Sequence, residues 1–185
     1  MANNDAIAAQ SVLTINNGDF NLISGGGSDF TPGTSSSRGL KSEQNIVLNG
    51  GTFYINSSDN CIGGSQHIEI NNGNFMLLSA NKPIDSDSTL TVNNGEINIT
   101  KAIKGISSHK IKLNGGKINI ASRNDCVKAT KGNEERNKQK IFKKFSKSIT
   151  AVFSFRQQKR CQFQIKSCSQ FNIFPISFGE MNIYT

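Results

Sequence analysis

The chain has 185 residues, 35% of them hydrophobic, with 17 Gly, 12 Phe, two Tyr and no Trp. That length suits one domain, and no apolar run reaches the ~18 residues that a membrane-spanning helix requires. The formal charge of +8 is uneven: residues 1–130 balance eight Lys and two Arg against seven Asp and three Glu, whereas residues 131–185 set eight Lys and three Arg against three Glu. No nucleic-acid-binding role is therefore expected of the chain as a whole.

The first thirty residues lack the basic start and apolar core of a secretory signal. Asn is abundant, with 19 up to Thr130 and four after it. From Val12 onward, five segments share one pattern: VLTINNGDFNLIS, IVLNGGTFYINS, IEINNGNFMLLS, LTVNNGEINIT and IKLNGGKINIA. They align on Gly18, Gly51, Gly73, Gly95 and Gly116, at intervals of 33, 22, 22 and 21. The first interval is a normal 22 plus an insertion of 11, and the Gly/Ser/Thr-rich stretch 24–37 supplies it as an exposed loop.

Within each unit the apolar residues recur with period two. Before the glycine stand pairs such as Ile46 and Leu48, or Ile68 and Ile70; after it stand Phe53 and Ile55, or Phe75 and Leu77. Alternation of this kind makes a strand with one face buried. A third short segment precedes each unit: 4–7, 37–40, 59–62, 81–84, 103–106 and 124–127. Three short strands per 22 residues describe one coil of a parallel β-helix, with coils stacked ~4.8 Å apart and equivalent positions in columns. The expected architecture is all-β: a right-handed parallel β-helix of about six coils and three parallel sheets over residues 1–130, followed by an irregular or helical basic tail, 131–185.

Asn16, Asn49, Asn71, Asn93 and Asn114 stand two residues before each glycine. Asn tolerates left-handed backbone, and stacked amides can hydrogen-bond up the column, so this column reads as scaffold. The four cysteines lack the paired spacing of a zinc site. Cys61 and Cys126 share a corner position but lie three coils, or ~14 Å, apart, beyond the ~7 Å reach of a disulfide.

The strand pattern, the turns resembling Asp-Asp-Gly-Ile, and the GGGS insertion before Thr34-Ser-Ser-Ser-Arg-Gly-Leu-Lys together resemble the bacterial carbohydrate-binding right-handed parallel β-helix domains, whose fold is shared with pectate lyases. The resemblance runs from about Asn3 to Lys131. It implies a secreted or cell-surface protein whose partner is a plant polysaccharide such as cellulose or pectic acid. It also implies calcium at paired-acid turns, where Asp5, Asp59 and Asp125 are the acids that remain. Lys82 and Lys104 occupy equivalent turns, and the surviving carboxylates fall on coils too far apart to share one ion. Solvated turns, with no cofactor required, are the expectation from the residues themselves.

Lyase chemistry needs an acid cluster holding calcium and a base to take the proton, and no acid cluster is expected beside Arg38 or Arg123. Glu69 and Glu96 fall on different faces, where paired-carboxylate hydrolysis needs one shared groove; His67 and His109 fall at strand edges two coils apart. The chain therefore reads as a non-catalytic binder, with a structural or adhesive solenoid as the alternative and a degenerate polysaccharide lyase behind both. The candidate sugar-binding residues lie on an outward strip: Tyr54, Asn98 and Asn119 in one column, Asn74, Glu96 and Lys117 in the edge column beside it.

Both ends look cut. Asn4-Asp5-Ala6-Ile7 is already a mid-coil motif, and no further Gly-Gly strand follows Val127 at the expected distance. The tail carries eight of the twelve Phe. Three readings stand open: a capping helix over 138–155, a membrane or anion patch, and non-native sequence from a truncated or frameshifted gene, the last leaving no stable tertiary structure beyond Phe155. Oligomeric state is not legible in the sequence.

Overall fold

The computed structural model describes residues 4–30, 37–64 and 66–129, together with the backbone of 159–165. Among these residues every regular element is a β-strand, and the chain winds through three columns of parallel strands. The first column contains β1 (Ile7–Ala9), β4 (Leu40–Ser42), β7 (Ile62–Gly64), the opening halves of β10 (Ile84–Val92) and β12 (Ile106–Leu113), and β14 (Val127–Ala129). The second contains β2 (Val12–Ile15), β5 (Asn45–Leu48), β8 (His67–Ile70) and the closing halves of β10 and β12. The third contains β3 (Asp19–Ser24), β6 (Thr52–Ser57), β9 (Asn74–Ser79), β11 (Glu96–Lys101) and β13 (Gly116–Ser122).

The parallel β-helix and its register match the sequence expectation, with two corrections. The third column spans four coil-to-coil steps, so the solenoid makes about four full turns instead of six coils; the first and last repeats contribute partial coils. The columns also merge into two sheets instead of three, because β10 and β12 continue around the corner between the first and second columns. The reason lies in the shorter interval of 21 residues. Ser86 pairs with Ser108 and Thr89 with Lys110, so β12 is one residue shorter at that corner and runs through it extended, and β10 follows with a bulge.

Between its corners the interior is apolar, built from columns such as Ile46, Ile68, Leu90 and Ile111, all at most 1% exposed. Phe20, Phe53 and Phe75 stack as parallel rings at 4.8 Å between centroids, which equals the strand spacing of a sheet. The turns before these strands close tightly: a Cβ on Gly51 would lie 2.7 Å from the Gly18 carbonyl oxygen, and its φ of 108° favours glycine in any case. Beside that turn the amides of Asn16, Asn49, Asn71, Asn93 and Asn114 form a continuous ladder, each donating to the one below at 2.6–2.8 Å. Buried serines line the corners: Ser24 donates to Ser57 at 2.9 Å, and Ser86 to the Gln66 carbonyl at 2.9 Å. Hydroxyls here add hydrogen bonds between successive coils at the corners.

The expectation of an irregular or helical tail meets one exception. β15 (Lys159–Ile165) pairs antiparallel with β13, from Gly116–Ile165 to Ser122–Lys159. As the last strand of its column, β13 otherwise presents a row of unpaired N–H and C=O groups, which attracts another strand. Pairing beyond Phe155 therefore exists, whereas the helix expected over 138–155 lies outside the described residues.

Candidate functional site

Strands β6, β9, β11 and β13 present every second residue outward, and their register places the six sugar-binding candidates on one face. Thr52, Asn74, Glu96 and Lys117 form one row across the coils; Tyr54, Met76, Asn98 and Asn119 form the next. Tyr54 and Met76 are each 39% exposed, so the second row carries apolar surface beside amides. The polar members are bonded to one another. Lys117 pairs with Glu96 at 2.9 Å, Asn98 donates to Glu96 at 3.3 Å, and Asn119 donates to Asn98 at 2.6 Å. The hydrogen bond from Lys117, reinforced by that from Asn98, holds the Glu96 carboxyl below its ordinary range. The strip is thus a pre-ordered polar floor, in which the Asn119 Oδ1 acceptor has no partner among the described residues.

The loop whose composition predicts only an exposed insertion rests on the same side. Ser28 N–H donates to Asn56 Oδ1 at 2.6 Å, and Lys101 Nζ donates to the Ser28 carbonyl at 2.6 Å and to Asp29 Oδ1 at 2.7 Å. Phe30, two residues on, is 62% exposed. The signal for this clamp is present in the repeat. Six residues after the glycine, four coils carry a serine (Ser24, Ser57, Ser79 and Ser122), and the fourth coil carries Lys101. A bulge at Thr100 brings Lys101 opposite Leu78, while Ile99 stays opposite Leu77, and this re-aims Lys101 outward.

The three acids expected at calcium turns do not come together; among the described residues no three His, Cys, Asp or Glu side chains converge. Asp5 accepts from Arg38 N–H at 2.8 Å and lies 3.4 Å from Lys41 Nζ. Asp59 accepts from Asn81 at 2.9 Å and lies 4.0 Å from Arg38 Nε, and Asp125 lies 4.0 Å from Lys128. The hydrogen bond to Glu43, followed by the charge of Asp5, raises the Lys41 pKa, as expected of an ammonium between two carboxylates. Each acid already faces a cation, whereas calcium takes six to eight oxygens, several of them carboxylate. These turns do not fit the ion. Arg38 differs from expectation, since it stands between two acids, Asp5 and Asp59.

The second column's outer face carries a shallow groove of ≈340 Å³, lined among others by Asn45, His67, Glu69, Thr91 and Lys112. Glu69 lies here and Glu96 on the other sheet, so the two carboxylates share no groove.

Residues 1–83 match the model of a family described as carbohydrate-binding domain-containing protein. No curated protein and no solved structure matches the chain. The matched segment holds the insertion and the first three glycine turns, and the same winding continues beyond it to β14. Match and architecture together fit a carbohydrate-binding β-helix and support carbohydrate binding as the general function.

Proposed function

We propose that the solenoid binds plant-type polysaccharide, of the cellulose or pectic-acid kind, through the outer face of β6, β9, β11 and β13, without catalysing its cleavage. The observation that carries this reading is the flat strip in which Tyr54 and Met76 lie exposed beside the Asn74, Glu96, Asn98, Lys117 and Asn119 polar rows. Pyranose rings offer apolar C–H faces and equatorial hydroxyls, and a sheet that presents both kinds of surface in register suits them. Amides fixed by their neighbours lose little freedom on binding, which favours a weak but real affinity. Catalysis has no support in the geometry of the described residues: Asp5, Asp59, Glu96 and Asp125 each face a cation, and Glu69 and Glu96 lie on separate sheets. The same reading places the domain outside the cell, at a surface where such polymers are met, with kinship to the pectate-lyase-like β-helices.

Affinity electrophoresis against soluble β-glucan and polygalacturonate tests it. Retardation by either polymer that is lost in Tyr54→Ala, with no unsaturated uronide released from polygalacturonate, is the expected result. Free migration in every gel would favour a solely structural or adhesive solenoid, and measurable lyase turnover would overturn the non-catalytic reading.

A further inference from the structure

Of the five exposed large hydrophobic residues among those described, Phe30, Tyr54 and Met76 belong to one side of the solenoid. Asn56 is two residues beyond Tyr54 on β6, so both project from the same face of that strand, ~7 Å apart. Asn56, Leu78 and Lys101 then follow one another across β6, β9 and β11. The loop touches the first and the last of these three through Ser28 and Asp29. It therefore runs along the solenoid axis for about two coils, ~10 Å, as a ridge beside the Tyr54–Met76–Asn98 row. Floor and ridge together bound a trough parallel to the axis.

The clamp is built, not incidental. Ser occupies the Lys101 offset in the other four coils, and the bulge at Thr100 takes Lys101 out of that inward position. Bulges next to functional surfaces commonly re-aim a side chain in this way. The ammonium holds a carbonyl and a carboxylate of the same loop, which fixes the segment that leads into Phe30. At its base the Phe30 ring packs over Gly26, where even a Cβ would approach it to 2.8 Å.

We propose that the loop 25–30 is the side wall of the carbohydrate site, that Lys101 is its positioning residue, and that a linear glycan lies in the trough along the solenoid axis with Phe30 stacking on a sugar ring. This rests on the proposed function and adds to it a direction for the ligand and two residues. Coils spaced ~4.8 Å apart repeat at nearly the length of one residue in an extended 1,4-linked hexose or hexuronate chain. Successive sugars thus meet equivalent positions of successive coils, which a chain lying across the axis does not achieve.

The test uses the full chain and soluble oligosaccharides of cellulose and of polygalacturonate. Because the chain has no Trp, Phe30→Trp introduces a single reporter: its indole emission should shift on titration with the oligosaccharide that binds, and affinity should be kept. Phe30→Ala and Lys101→Met should each weaken binding roughly five- to twenty-fold with an unchanged melting temperature. Lys101→Arg, which keeps the cation, should restore most of the affinity. If Tyr54→Ala abolishes binding while Phe30→Ala and Lys101→Met bind as the wild type and the indole emission of Phe30→Trp stays constant, the wall is wrong and the floor stands. If the wild type binds neither oligosaccharide, the carbohydrate reading itself falls, and this inference with it.

Discussion

Cys61 sits inside a corner of the solenoid with no exposed surface, its thiol donating to the Leu78 carbonyl at 3.0 Å and to that of Ile55 at 3.5 Å. Burial raises its pKa strongly, so the nucleophilic thiolate is suppressed. Iodoacetamide should leave Cys61 unmodified in the native protein and alkylate it in denaturant; rapid native alkylation, read by mass spectrometry, would mean an open corner. Cys61→Ala removes one sulfur and should destabilise by less than ~1.5 kcal/mol, whereas Cys61→Leu overpacks the corner by about 1–3 kcal/mol. Both values follow from chemical denaturation. The three-coil separation predicts no Cys61–Cys126 bond, and Cys61 is free, as expected; Cys126 is disulfide-bonded, but not to Cys61. Removal of a native disulfide typically costs about 2–5 kcal/mol, so Cys126→Ala should destabilise clearly more than Cys61→Ala, and a reductant should abolish the difference.

Among the elements, the Phe stack and the Asn ladder illustrate two different grades of column. Phe53 lies between two parallel rings and is 1% exposed, while Phe20 at the end of the stack is only partly buried. Phe53→Ala should cost about 3–5 kcal/mol and Phe20→Ala distinctly less, as measured by denaturant midpoints. Asn71 accepts from Asn93 and donates to Asn49 near the surface. Removing it breaks two bonds that water can partly replace, so Asn71→Ala should cost about 1–2 kcal/mol. A larger loss would show that the ladder sets the turn conformation as well as bridging coils. The columns were legible because every coil repeats the same side chain at the same offset. The Thr100 bulge was not, since it changes no apolar position and shows only as a Lys where other coils have Ser.

For the whole molecule, the charge pattern decides how the turns respond to metal. Asp5, Asp59 and Asp125 each face Lys41, Arg38 or Lys128, and these cations neutralise the turns from within. Chelation with EDTA should therefore leave the melting temperature within about a degree, and added calcium should not raise it. A calcium-dependent rise of several degrees would show that a set of oxygens assembles which the described residues do not provide. At the end of the solenoid β15 takes the edge of β13 antiparallel, where every other pairing among the described residues is parallel.

By itself the sequence determined the winding: a period of 22 with alternating apolar residues leaves few ways to bury five equivalent stripes, and the register of Asn74, Glu96 and Lys117 followed from counting residues from each glycine. It also determined that Tyr54, Asn98 and Asn119 share a face, because side chains alternate along a strand. Only the tertiary structure decided what non-repeating residues do. The insertion has no equivalent in other coils, so no column predicts that Ser28 meets Asn56 or that Asp29 meets Lys101, 72 residues away. The pairing of Lys41 with Asp5 and of β15 with β13 likewise joins segments related by no shared offset. Periodicity specifies contacts between equivalent positions, whereas contacts between unlike positions depend on where the folded backbone brings them.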